Sequence, residues 1–184
     1  MRKRTILNKK AFELTVNRLC YQLIENHQDF SNSIIIGLQP RGIYLANRIV
    51  NRLQEIKPKT EIKKGSLDIT FYRDDFRRGV TPLKANKTEM NHLVEGQNVI
   101  LVDDVLYTGR SVRSGMDALL DFGRPKKVEL LVFIDRRFSR DLPIQPDYVG
   151  NKVDSLDSER VEVKWLELDG KEEVVLYSKT TENE

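Results

Sequence analysis

Val99 Ile100 Leu101 Val102 Asp103 Asp104 Val105 Leu106 Tyr107 Thr108 Gly109 Arg110 Ser111 opens with four aliphatic residues that do not alternate with polar ones. Such a run, bounded by Gly96 before and Gly109 after, suits a strand buried on both faces of a parallel sheet. Asp103 and Asp104 then stand at its C-terminal end. Open α/β sheets bind ligands at that edge, so carboxylates there meet ligand hydroxyls or a metal rather than core. Thr108, Gly109, Arg110 and Ser111 add hydroxyls, a backbone that can be approached closely, and a helix N-terminus whose free N–H groups favour an anion. The helix is patterned by Val112, Met116, Leu119 and Leu120 and is stopped by Gly123 and Pro125. Paired aspartates also serve as helix N-caps, but the first helical position here lies several residues further on. For Thr108 and Ser111, capping and phosphate binding are compatible.

The chain has 184 residues, the length of one domain with a substantial core. Charged residues make up 32% and the net charge is +3, a composition that indicates a soluble protein and does not by itself announce nucleic-acid binding. One cysteine, Cys20, excludes an internal disulfide framework; with Phe12, Val16, Leu19 and Leu23 it reads as a small core hydrophobe. No apolar stretch approaches transmembrane length, and Arg2 Lys3 Arg4 leads into no signal-peptide core. Cytoplasm is the default expectation.

Working outward, a first helix is predicted from near Asn8, then a buried strand at Ser33 Ile34 Ile35 Ile36 Gly37. Gln39 Pro40 Arg41 Gly42 follows at the same sheet edge as the acidic pair: Arg41 offers a bidentate fork to phosphate oxygens, and Gly42 lets backbone N–H groups come close. Leu45, Ile49 and Leu53 pattern a helix ending before Pro58. Leu67, Ile69 and Phe71 alternate as a strand. Tyr72 Arg73 Asp74 Asp75 opens a polar segment reaching Gly96, long enough to be either disordered or a functional lid. Residues 128–134 form a further buried strand. Beyond Gly150, Val161, Val163 and Trp165 alternate with charged residues, and Asp169 Gly170 marks a hairpin turn before Val174. His27 and His92 read as surface histidines. The expected fold is α/β, a mostly parallel central sheet flanked by helices, with a small cap and a C-terminal β-hairpin.

An acidic pair and a Thr-Gly turn after a buried strand resemble the phosphoribosyl pyrophosphate (PRPP) motif of type I phosphoribosyltransferases. Residues 99–125, Ile134 Asp135 Arg136, Asp141 Leu142 Pro143 Ile144 and Asp147 Tyr148 Val149 Gly150 resemble the PyrR family of bifunctional pyrimidine operon attenuators and uracil phosphoribosyltransferases. The resemblance implies one domain over 1–184, with 73–96 as a flexible active-site loop and 135–184 as a base-side cap and C-terminal hairpin. It implies displacement of pyrophosphate from C1 of PRPP by N1 of uracil, giving uridine monophosphate (UMP). Asp103, Asp104, Arg41 and Arg73 would be catalytic. Val105, Leu106, Tyr107, Thr108, Gly109, Arg110 and Ser111 would cradle the 5′-phosphate. Pro40, Arg41, Gly42 and Arg73 would hold pyrophosphate, with a non-proline cis peptide expected at Pro40–Arg41, and Arg136 and Val149 would frame the base. Mg²⁺ is the implied cofactor, bound mainly through PRPP, with any link to Asp103 and Asp104 made through water.

The implied partners are PRPP, uracil and UMP, a messenger-RNA leader for the regulators, and further copies of the chain in a homodimer or homotetramer. Departures fall on the RNA side. Asn17 Arg18 Leu19 Cys20 Tyr21 stands where regulators show Thr-Arg-x-x-His, Arg137 Phe138 Ser139 Arg140 departs from Gly-His-Arg-Glu, and Asn151 Lys152 Val153 Asp154 Ser155 replaces Lys-Asn-Ile-Pro-Thr-Ser. Asp154 is expected to repel an RNA backbone. Two alternatives are carried: a uridine-nucleotide-sensing RNA-binding regulator with little catalysis, and a purine-specific relative.

Overall fold

The aliphatic runs become the centre of a parallel sheet, as their lack of alternation requires. In the computed structural model, which describes residues 2–72 and 87–178, the elements are β1 (Arg2–Leu7), α1 (Lys9–His27), β2 (Ser33–Leu38), α2 (Gly42–Ile56), β3 (Lys63–Leu67), β4 (Asn98–Leu106), α3 (Arg110–Leu120), β5 (Lys127–Arg137), β6 (Tyr148–Asp154), β7 (Arg160–Lys164), α4 (Leu166–Asp169) and β8 (Glu173–Ser178). Five strands form a parallel sheet in the order β3-β2-β4-β5-β6.

Both faces of that sheet are covered. Ile35, Ile100, Val102, Leu131 and Phe133 point into a core shared with α1 and α2, through Phe12, Leu19, Leu45 and Ile49. Ile34, Ile36, Val99, Leu101 and Val132 point the other way, against Val112, Ala118 and Leu119 of α3. Cys20 is buried in the first core, where burial pushes its thiol up to about 12, so it stays a protonated packing group.

Several boundaries differ from the sequence reading. β4 runs through the acidic pair to Leu106, and β5 runs through Asp135 and Arg136 to Arg137, because strand pairing continues past the apolar stretch: Leu106 sits opposite Asp135. β3 lies earlier than the Leu67–Ile69–Phe71 alternation suggested. Asp68 Oδ1 accepts from both N and Oγ1 of Thr70 (2.9 and 2.6 Å), and this side-chain turn ends the strand. Of the expected 73–96 loop, residues 73–86 lie outside the described residues, while Glu89 bridges to Ser66 and Val94 is fully buried.

The second sheet is antiparallel, β1-β8-β7. Its hairpin closes through the helical turn α4 with Gly170 in the left-handed region (φ 65°), rather than through a two-residue turn. β1 completes the sheet beside β8; only Leu7 of its six residues is buried, which is why no core pattern marked it. Of the segment from residue 135, the end of β5 and all of β6 belong to the main sheet, whereas β7 and β8 join β1 in the second one. Among the described residues no helix is long and apolar enough to cross a membrane.

His27 is not a surface group: its side chain is 5% exposed, with Nε2 2.8 Å from Glu129 Oε2 and Nδ1 2.9 Å from Ser33 Oγ. Tyr148 donates its hydroxyl to the same carboxylate at 3.0 Å, and Lys127 also pairs with it. Burial alone would raise the Glu129 pKa, but the bonds from Lys127 and Tyr148 and the field of His27 leave it below its ordinary value of 4.5. A depressed carboxylate stabilises the fold fully above its unfolded pKa and loses that contribution as pH falls through the folded one. Glu129→Gln is therefore expected to lose about 1–3 kcal/mol at neutral pH. Its urea-unfolding stability should also fall less steeply than that of wild type below about pH 4.5, the ordinary glutamate value.

Candidate active site

Chain connectivity places a crevice above the centre of the sheet. From β2 the chain crosses by α2 to β3 on one side; from β4 it crosses by α3 to β5 on the other. Neighbouring strands whose connections diverge leave a cleft at their C-terminal ends. Pairing of β2 with β4 stops at Gly37 and Val102, whereas β4 stays paired with β5 as far as Leu106. Asp103 and Asp104 thus occupy the first positions of β4 beyond its pairing with β2, facing the 39–42 loop.

On the far wall lies a cavity of ≈ 210 Å³ lined by Asp103, Thr108, Gly109, Ser111 and Ser114 among others. Gly109 precedes α3 with φ +91°, a conformation side chains resist, and Thr108 Oγ1 accepts from the first N–H of the helix, that of Arg110, at 3.4 Å. The first turn of α3, Arg110 to Val112, lines the cavity, and a helix N-terminus favours an anion there. Thr108 O accepts from the backbone N–H groups of Asp141 and Leu142 (both 3.1 Å), and Arg110 Nε pairs with Asp141 at 3.1 Å, fixing the turn from behind. Val105 and Leu106 contribute backbone only, since their side chains enter the two cores. Tyr107 presents its ring to the Arg136 guanidinium, 4.0 Å away.

Asp103 Oδ1 accepts from the backbone N–H of Asp104 at 2.9 Å. Burial, and then the adjacent Asp104 charge, hold the Asp103 carboxyl well above its usual range. Asp104 is raised too, by burial, against an opposing pull from Arg41. Two desolvated carboxyls this close favour a cationic or hydroxyl-donating ligand between them and the cradle. Arg41 Nε reaches Asp104 Oδ2 at 3.2 Å, while Nη2 donates to Val163 O and reaches Asp169 Oδ2 at 3.3 Å. Gly42 presses the loop onto β4: a Cβ there would lie 2.4 Å from Val102 O and 3.0 Å from Asp103 Cα. The cis peptide is Gln39–Pro40, not Pro40–Arg41; an X-Pro bond is where the cis form is least disfavoured.

Two assigned residues stand apart from this cluster. Arg136 is buried, donating to Ser155 Oγ (2.8 Å), Leu156 O (3.2 Å) and Glu159 O (3.0 Å), so its guanidinium pins the β6–β7 connection. Val149 sends its side chain into the second core, and its carbonyl accepts from Arg18 at 3.3 Å. Arg73 lies outside the described residues. Sequence reading missed Gln39, whose amide ties the loop to Ser66 Oγ (3.1 Å) and Lys87 O (2.7 Å). It also missed Asp169 and the Val163 carbonyl as partners of Arg41. The one local signal for that region was a tryptophan in an otherwise aliphatic–charged alternation.

The family model described as the phosphoribosyl transferase domain matches residues 3–168. The "Bifunctional protein PyrR" of Halalkalibacterium halodurans is 42% identical over 180 residues, covering 97% of this chain and 99% of that protein. The chain belongs to the PyrR family of phosphoribosyl transferases. The PyrR protein of Pelotomaculum thermopropionicum is 41% identical, over 95% of each chain. Among solved structures, a hypoxanthine phosphoribosyltransferase from Staphylococcus aureus superposes with TM-score 0.70 at 17% identity, over 96% of this chain and 93% of that one. That of Trypanosoma cruzi gives 0.70 at 12% identity, over 94% and 95%. At such identities these structures establish the fold, and the PyrR relatives establish the family.

In this PyrR-family chain the approach of the 39–42 loop to β4 leaves no room for a side chain at Gly42. Gly42→Ala is expected to push the loop off Val102 and to lower kcat/KM for PRPP by about 100-fold, the usual cost of misplacing a binding group by an ångström. Steady-state kinetics, with circular dichroism to verify the fold, checks it.

Proposed function

We propose that the protein transfers the phosphoribosyl group of PRPP to N1 of uracil, releasing pyrophosphate and forming UMP. One observation carries the reading: two adjacent carboxylates, Asp104 buried and Asp103 half-buried, lie between the Gly109 turn at the head of α3 and the Arg41 guanidinium. A 5′-phosphate in the cradle puts the ribose over Asp103 and Asp104, and leaves the pyrophosphate toward the 39–42 loop. As the C1–O bond to pyrophosphate breaks, the ribose gains oxocarbenium character, and the carboxylates are already in place with no reorganisation needed. Arg41 turns its fork to the leaving group. Uracil N1 forms its bond to C1 from the other face and gives up its proton, which the departing pyrophosphate can take, and no covalent nucleophile is needed.

Among the described residues no cluster of three or more His, Cys, Asp or Glu could hold a metal by itself. The two aspartates suit a Mg²⁺ ion carried in on PRPP and touched through water, and such an ion neutralises pyrophosphate charge.

The alternative, an RNA-binding regulator with little catalysis, has less support. On α1, Asn17 Oδ1 is engaged by Arg52 (2.9 Å) and Arg18 by the Val149 and Gly150 carbonyls. Against this, Asp154 is neutralised by a two-pronged bond from Arg137 (2.5 and 2.6 Å), which offsets its expected repulsion of a phosphate backbone and favours RNA binding.

Pyrophosphate release from PRPP and Mg²⁺ should depend on uracil, and Asp104→Asn should lower it by about 100-fold or more. Release with hypoxanthine instead of uracil makes the protein a purine enzyme. PRPP binding without turnover on any base transfers the assignment to the regulator.

A further inference from the structure

Arg41 cannot serve two partners at once. Its planar fork grips Asp104 through Nε and the C-terminal sheet through Nη2, and the proposed reaction needs that same fork on pyrophosphate. Once it turns, Asp104, which is 8% exposed, is left beside Asp103 without its cation. A buried carboxylate stripped of its partner is costly and free to shift. Something else must hold it.

The side chain nearest to that task is Trp165. It is fully buried, and its ring is fixed by an edge-on contact with Phe12 (5.3 Å between centroids), by stacking on Tyr44 (6.1 Å) and by Phe133 (6.1 Å). Its backbone N–H donates to Asp169 Oδ2 at 2.9 Å, the same oxygen that Arg41 reaches. The indole Nε1 is buried without a hydrogen-bond partner. A buried donor left unsatisfied is rare and points to a partner acquired in another state. Asp104 is the acceptor at hand: Arg41 links its Oδ2 (3.2 Å) to the Val163 carbonyl and to the Asp169 carboxylate that receives the Trp165 backbone N–H, and the indole acts to pull the Asp104 carboxyl's pKa downward.

We propose that the Trp165 indole N–H completes its hydrogen bond to Asp104 when Arg41 turns to pyrophosphate, making Trp165 a positioning residue that holds the acidic pair under the ribose. The consequence for turnover rests on the phosphoribosyl-transfer reading; the contact itself does not. The exchange is one for one: Asp104 releases a guanidinium donor and gains an indole donor, and Nε1 loses its orphan status.

Trp165 is the single tryptophan of the chain, so its emission reports on the surroundings of this one indole. Two measurements decide the matter. Trp165→Phe keeps an aromatic ring and deletes the N–H; kcat is expected to fall about 10-fold, the loss of one hydrogen bond to a charged group, with KM for PRPP changed less than about two-fold. Wild-type kcat in that variant overturns the proposal, as does a loss confined to KM. In the second, the emission maximum and intensity of the wild-type chain are compared with those of Asp104→Asn and Asp104→Ala, each with and without PRPP and Mg²⁺. The proposal expects PRPP to shift wild-type emission and the shift to disappear in Asp104→Ala at PRPP concentrations that calorimetry shows to saturate each variant. A shift that persists in Asp104→Ala overturns it. Should Trp165→Phe fail to fold, the emission comparison stands by itself. Should wild type release no pyrophosphate with any base, the catalytic reading fails while the emission comparison still decides the contact.

Discussion

Strand β4 is the constraint on which the site depends. Below Val102 it is hydrogen-bonded on both edges and packed on both faces, so its backbone has no freedom to adapt. Above Val102 it loses β2 but keeps β5 through Leu106. The acidic pair therefore sits on a rigid strand with one edge open. A loop could carry the same carboxylates, but water would stabilise them and their positions would fluctuate. Held by β5, with Asp104 buried and Asp103 half-buried, they are largely desolvated, and desolvation makes them responsive to a positive centre brought alongside.

That desolvation also explains why arginine contacts surround the site. Asp104 is tied to Arg41, Asp135 to Arg140, Asp141 to Arg110, and Glu167 and Glu172 to Arg48. The partly buried pairs, Asp104–Arg41 and Asp135–Arg140, contribute weakly to stability because each ion gives up hydration, and the exposed Asp141–Arg110 pair is worth little because water screens it. They are effective at fixing geometry. Arg140 also donates to Tyr107 O, so the β5 end and the phosphate turn are held by one guanidinium.

How far the sequence disclosed all this depended on sequence separation. The strand, acidic pair, Thr-Gly turn and helix over 99–120 were legible because their chemistry is contiguous and each part implies the next. The two-faced burial of residues 34–36 and 130–134 was legible for the same local reason. Strand β1 was not: four of its residues are exposed, and it is a strand only because β8, some 170 positions away, pairs with it (Arg2 opposite Ser178). His27 looked like a helix-end surface group because Glu129 and Tyr148, which bury it, lie on other strands. Arg41 was marked as a candidate anion ligand by its Pro-Arg-Gly context. Its protein partners, 63, 122 and 128 residues away, carry no local signature.

The C-terminal sheet is consequently a working part of the site. Its contacts run in series: β1 pairs with β8, Lys3 adds an ion pair to Glu173, β8 pairs with β7, and the Val163 carbonyl of β7 receives Arg41. Asp169, at the end of α4, receives both Arg41 and the backbone N–H of Trp165. Arg48 clamps the hairpin to α2 by Glu167 on one side and Glu172 on the other, so the hairpin and the 39–42 loop are referenced to the same helix. A loop meant to release Arg41 to an incoming ligand needs a resting partner that is strong enough to order the guanidinium and weak enough to yield. One carbonyl and two carboxylates, each touched by a single nitrogen at 3.2 and 3.3 Å, meet both conditions. A fully buried bidentate pair would order the arginine equally well and hold it against pyrophosphate. The alternation of apolar and charged residues along 160–178 thus serves two requirements at once: the apolar set closes the core over Phe12 and Phe133, and the polar set keeps the arginine of the 39–42 loop within reach of the acidic pair.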